Sequence, residues 1–159
     1  MKKQVQDISL LEEPLAVYGA DPAIPMFGIF GKQTASPTTF DLLQLARKGI
    51  SKKSITQLAK QITLTLEEIS AVLHISERTL QRYAPTTLVK TEHADRVIEL
   101  ARLYERGIIV LGSAEAFNIW MRQPNRALND EIPLQLLDTS IGFELVLQVL
   151  GRLDYGVFS

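Results

Sequence analysis

From Phe40 onward, apolar residues recur at three- and four-residue spacing, the period of helices with one buried face. Thr39 is placed to cap a first helix over 40–48, with Asp41 at its positive end and Arg47 and Lys48 at its negative end, and Gly49 stops it. Ser51 caps a second helix that turns Ile55, Leu58, Ala59 and Ile62 inward and leaves Lys52, Lys53 and Lys60 in water. Thr65 and Glu68 form a capping box, and the helix behind it buries Leu66, Ile69, Val72 and Leu73. His74 and Ile75 make a short turn. Ser76 then caps another helix running to Tyr83, and Pro85 ends the unit.

A longer helix is predicted over 92–106, with Val97, Leu100, Ala101 and Tyr104 as its stripe, Glu92 and Arg96 as an i,i+4 charge pair, and Gly107 as its stop. A short helix over 113–121 places Ala114, Phe117, Ile119 and Trp120 inward and Asn118 and Arg122 on its polar side; Trp120 is read as core. Pro124 and Asn125 make a turn, and Pro133 opens a further helix as its first residue. The last helix covers 143–153, with Val146, Val149, Leu150 and Leu153 in phase. The run Leu145-Val146-Leu147 also suits a strand, but its length and period favour helix. The fold class is therefore all-α. Residues 1–37 lack any sustained period and are punctuated by Pro14, Gly19, Pro22, Pro25, Gly28, Gly31 and Pro37, so they are read as an extended or partly disordered arm.

Composition narrows the classes. With 159 residues the chain can form one ordinary domain or two small helical modules. It has no cysteine, which excludes disulfides, thiolate-held zinc and thiol catalysis. It has no long apolar run, so no membrane partner is expected, and a start rich in Asp and Glu is not a signal peptide; a cytoplasmic protein is the reading. The net charge of -1 hides a gradient: residues 1–31 sum to -2, residues 32–110 to +4 and residues 111–159 to -3. Only the middle suits a polyanion.

Enzyme chemistry finds little support. His74 and His93, the two histidines, lack metal-ligand spacing, and no serine sits in a nucleophile elbow. The cluster Asn129-Asp130-Glu131 reads as a loop, and Gly28-Ile29-Phe30-Gly31-Lys32 lacks the spacing of a phosphate loop. No catalytic residue, metal or cofactor is expected.

The pair of capped helices over 65–83 has the form of a helix-turn-helix. In that arrangement the second helix brings its first residues to base edges. Arg78 can donate two hydrogen bonds to guanine, Gln81 can pair with adenine, and Thr79 can meet a phosphate or a thymine methyl. Arg82 and Lys60 lie nearer phosphates, and Ser76 caps the reading helix. Two short capped helices also occur in folds that never meet DNA, and Glu67, Glu68 and Glu77 weaken the local field.

These residues carry a resemblance. Gly49-Ile50-Ser51-Lys52, followed by Leu66 through Tyr83 with Arg78-Thr79-Leu80-Gln81-Arg82 near its end, resembles the Xre-like helix-turn-helix of the Xre/MbcA/ParS family of antitoxins from type II toxin–antitoxin pairs. Ala114-Glu115-Ala116-Phe117-Asn118-Ile119-Trp120-Met121, then Pro124-Asn125-Arg126, Ile132-Pro133-Leu134 and Gly151-Arg152-Leu153, resembles the family's C-terminal toxin-binding domain. Asn129-Asp130 departs from a glycine pair that many members carry, and Asn118 from a small or hydrophobic residue. The resemblance covers roughly residues 40–159 and leaves the arm (1–37) outside; the rest divides into a helix-turn-helix DNA-binding domain (38–107) and a toxin-binding and dimerisation domain (108–159). It implies an antitoxin that blocks a cognate RES-domain toxin, an enzyme that consumes NAD or transfers ADP-ribose. It also implies a homodimer that represses its own operon on double-stranded operator DNA. The alternative is a stand-alone transcriptional regulator whose C-terminal domain only dimerises.

Two surfaces are candidates for partners. Tyr155, Gly156, Val157 and Phe158 form an apolar segment suited to anchoring in a partner or to packing on the domain's own core, with Arg152 beside it. Arg122 and Arg126 flank the Pro124-Asn125 turn and suit either an interface or local carbonyl capping. The apolar faces of 97–104 and 143–153 exceed what two short helices need to cover each other, so one of them is expected to supply the dimer contact.

Overall fold

The computed structural model describes residues 26–30 and 37–156. Seven α-helices follow one another there: α1 (Thr39–Lys48), α2 (Lys52–Gln61), α3 (Leu66–Leu73), α4 (Glu77–Arg82), α5 (Thr91–Leu111), α6 (Ala114–Met121) and α7 (Ser140–Asp154). Single-turn 3-10 segments cover Gly28–Phe30 and Arg126–Leu128, and a longer one covers Pro133–Asp138. The chain is predominantly α-helical, with one feature that periodicity did not announce. Two-residue strands β1 (Ile50–Ser51) and β2 (Leu88–Val89) pair antiparallel, Ile50 opposite Val89 and Ser51 opposite Leu88. They are too short for an alternating pattern to register. Gly49 makes the approach possible: its φ is +90°, and a Cβ there would lie 2.8 Å from the carbonyl oxygen of Val89.

Most helix starts follow the capping chemistry. Ser51, Thr65, Ser76 and Ser113 each accept a hydrogen bond from the backbone N–H three residues on, and Glu68 returns the bond to Thr65. α1 is capped by Thr38 rather than Thr39, because the Asp41 carboxylate reaches back to the Thr38 backbone and completes a capping box there. α5 runs past the expected stop at Gly107 and ends at Gly112, whose φ is +88°. Gly107 lies inside the helix because its bare face receives the Phe117 ring; a Cβ would come within 2.3 Å of it. α5 therefore crosses the expected 107/108 boundary without a break.

One core unites these elements, from Met26 and Phe27 to Leu150. Part of the expected arm thus packs as core: Met26 and Phe27 are buried, and the Ser54 hydroxyl donates to the Ile29 carbonyl. Residues 1–25 and 31–36 of the arm lie outside the described residues. Tyr104 and Phe117 meet edge to face at 4.9 Å, and Trp120 stacks on Phe117 at 5.8 Å while staying half-buried. Two inward assignments fail. Ile119 is exposed, because two residues from both Phe117 and Met121 it falls on the opposite face of α6, and Leu66 lies at the rim as the first residue of α3. Asn129 and Asp130 both adopt left-handed backbone, φ 56° and 63°, the conformation a glycine pair supplies without strain and these two side chains tolerate.

Candidate nucleic-acid and partner interfaces

The reading helix α4 is anchored by Leu80, its one buried residue. Glu77, Arg78, Thr79, Gln81 and Arg82 all point to solvent, so Arg78, Thr79, Gln81 and Arg82 form one accessible polar face. Ser76 is committed to the helix itself: its hydroxyl accepts from the Thr79 N–H at 3.1 Å and lies 2.8 Å from Thr79 Oγ1. The far end is held by a side chain expected in water. Lys52 Nζ donates to the carbonyls of Gln81 at 3.0 Å and Tyr83 at 2.7 Å. A cation at a helix C-terminus meets the negative end of the dipole, so Lys52 fixes α4 against α2. Tyr83 is half-buried against the core.

The helix-turn-helix is fastened at both ends of α3 to elements that follow it. At the N-terminal end, Arg122 Nη2 donates to Glu68 Oε2 at 3.1 Å and to the Thr63 carbonyl at 3.0 Å. At the C-terminal end, Arg96 is only 9% exposed. Its Nε donates to the Val72 carbonyl and its Nη2 to the Leu137 carbonyl at 2.6 Å, and the guanidinium carbon lies 5.5 Å from the centre of the Phe143 ring. His93 Nδ1 donates to the Leu73 carbonyl at 2.7 Å, and His74, in the turn itself, donates from Nε2 to the Asp138 carbonyl. Arg96 has turned inward instead of pairing with Glu92, and His93 is half-buried. One signal for Arg96 was present. It lies four residues before Leu100 and seven before Leu103, in phase with the buried stripe.

Burial also governs the titratable groups along α5. The Tyr104 phenol is pushed up by burial, against the opposing pull of the nearby Arg122. The Glu99 carboxyl is raised by burial, with Arg96 working the other way. Neither stands in a cluster suited to acid–base chemistry, and among the described residues no group of His, Asp and Glu is placed to hold a metal.

The candidate partner residues separate. Arg126 and Arg152 are exposed, whereas Arg122 is half-buried and engaged in the link to α3. Tyr155 follows α7 and is 83% exposed. Gly156 adopts φ +69°, with open space where a Cβ would stand. Val157 and Phe158 lie outside the described residues. Asp154 pairs with Arg106 at 2.5 Å and fixes the end of α7 to α5. The 97–104 stripe is consumed by the chain's own core. Apolar surface remains on α7, at Ile141, Leu145 and Leu147. No helix among the described residues is long and apolar enough to cross a membrane.

Comparison with known proteins matches two successive stretches of the chain. Residues 41–102 match the antitoxin Xre-like helix-turn-helix domain, and residues 106–156 match the antitoxin Xre/MbcA/ParS C-terminal toxin-binding domain. The chain is 26% identical over 145 residues to the Prs ADP-ribosylating antitoxin of Sphingobium sp. (strain YBL2), covering 85% of this chain and 90% of that one. It is 27% identical over 120 residues to antitoxin Xre of Yersinia enterocolitica, covering 74% and 81%. It is 28% identical over 111 residues to the mycobacterial cidal antitoxin MbcA of Mycobacterium tuberculosis, covering 69% and 96%. Among solved structures, a chain of the M. tuberculosis MbcT-MbcA toxin-antitoxin complex superposes with a TM-score of 0.51 at 25% identity, covering 68% of this chain and 96% of that one.

Proposed function

The chain belongs to the Xre/MbcA/ParS antitoxin family, a non-catalytic family, and from that premise we propose how it serves a type II toxin–antitoxin pair. It binds and blocks a RES-domain toxin that consumes NAD or transfers ADP-ribose, and it represses its own operon as a homodimer. Residues 38–107 serve DNA and residues 108–159 serve the toxin, in the cytoplasm. Tyr155 carries the toxin half of this reading: an aromatic ring 83% exposed beside a glycine with φ +69° suits insertion into a partner's cleft. Arg152, Arg126 and, beyond the described residues, Val157 and Phe158 extend that surface. A blocked NAD site asks no chemistry of the antitoxin, only that it occupy the cleft better than the substrate does.

The accessible face of α4 supports the DNA half. One six-residue helix reads too few base pairs for strong specificity, so two copies related by a two-fold axis would read half-sites roughly 34 Å apart. The exposed apolar residues of α7 supply the dimer contact in this reading.

The test is reconstitution. The chain is purified with the toxin encoded beside it, and NAD consumption by the toxin is followed as antitoxin is added. Inhibition that saturates at a fixed ratio supports the proposal. An active toxin that neither co-purifies with the chain nor loses activity overturns it.

A further inference from the structure

The structure holds a groove of about 350 Å³ beside the reading helix, lined by Lys52, Lys53, Thr56, Gln57, Lys60 and Pro85. Three of the six are lysines and none is acidic. Two other grooves have the opposite character. One beside α5 is lined by Glu92, Asp95 and Glu99 as well as Arg96 and Arg102, and one beside α3 by Glu67, Glu68 and Asp138 as well as Arg122. The helix period creates the lysine groove. With Ile55, Leu58, Ala59 and Ile62 facing the core, positions 53, 56, 57 and 60 fall together on the outer face of α2.

We propose that this groove is the track of the DNA phosphate backbone, and that the duplex is anchored over α2 rather than over the N-terminus of α3. The inference rests on the DNA reading above and names the surface that holds the polyanion. Lys53 and Lys60, both exposed, lie about two turns apart on the same face, and the Gln57 amide between them supplies a neutral donor. Lys52 has one of its three N–H bonds left after those to Gln81 and Tyr83. The same residue therefore joins the backbone track to the end of the helix that reads bases. The N-terminus of α3 is unsuited to phosphate. The Thr65–Glu68 capping box takes up the N–H groups of Thr65 and Glu68 and sets one carboxylate there, and Glu67 adds a second in the first turn.

Backbone contacts and base contacts leave different signatures. The full-length chain is titrated by fluorescence anisotropy, at several salt concentrations, against two labelled duplexes. One spans the DNA immediately upstream of its own coding sequence, and the other is a scramble of the same composition. The doubly substituted K53A/K60A chain is expected to bind both duplexes more weakly by the same factor, to keep the wild-type preference between them, and to show a salt slope lower by about two. Glu67→Gln is expected to leave the slope unchanged. Circular dichroism and retained toxin binding confirm that the variants are folded. A wild-type slope in K53A/K60A, with preference for the upstream duplex intact in the wild type, overturns the track while leaving base reading by α4 in place. So does a steeper slope in Glu67→Gln. A wild-type chain with no preference between the duplexes at any salt overturns the DNA reading itself.

Discussion

Arg122, immediately after α6, holds Glu68 on α3 at 3.1 Å while Glu68 is also capping the helix it starts. A residue of the toxin-binding part is thereby built into the first turn of the DNA-reading part. Arg122→Ala should remove the charge-assisted bonds to Glu68 and to the Thr63 carbonyl, at a cost of about 1–3 kcal/mol. Urea unfolding of the single variants Arg122→Ala and Glu68→Ala, and of the pair together, measures the coupling. Strictly additive effects would show that the contact contributes nothing.

Arg96 bears more. Its guanidinium satisfies the buried carbonyls of Val72 and Leu137, and both lose their partner if it is removed. Arg96→Ala should cost about 3–5 kcal/mol, more than any exposed arginine on the chain. Arg96→Lys should recover only part, because an ammonium cannot reproduce the planar fork that reaches both carbonyls. Denaturant midpoints of the two variants give the comparison. Wild-type stability in Arg96→Ala would contradict the fastening of α3 described here.

Glu99 links stability to pH. Burial raises its folded carboxyl above the ordinary value of 4.5, so between the unfolded and folded values the native state binds more protons than the unfolded state does. Stability from this group therefore falls as pH rises through that window. Glu99→Gln should raise the melting temperature at neutral pH, with the gain shrinking as pH falls toward 4.5. Thermal melts of both proteins across that range test the sign. A gain that grows with acidification would reverse it.

The helices and caps were legible because each depends on neighbours three or four residues away. Ser51, Thr65, Ser76 and Ser113 declare helix starts in their own sequence windows. The exposed face of α4 was legible for the same reason. What sequence could not declare are contacts between distant segments. Gly107 reads as a helix stop until Phe117 is seen packed against it, and Lys52 reads as solvated until the carbonyls of Gln81 and Tyr83 arrive from 29 and 31 residues away. Arg122 likewise has its partner 54 residues off. The β1–β2 pair belongs with these, since two-residue strands have no period to read.

We propose that this chain silences its toxin through the surface that follows α7. Truncation after Asp154 tests it most directly, because it removes Tyr155 and Gly156 while keeping the Arg106–Asp154 pair that fixes the end of the helix. The measurement is the rate of NAD consumption by the cognate toxin as full-length or truncated antitoxin is added, with circular dichroism confirming the helices. The full-length chain is expected to suppress the rate, and the truncated chain to do so only at far higher concentration, because a buried aromatic anchor contributes about 2–3 kcal/mol. Suppression by the truncated chain at the full-length concentration would contradict it and move the contact to the exposed surface around Arg126.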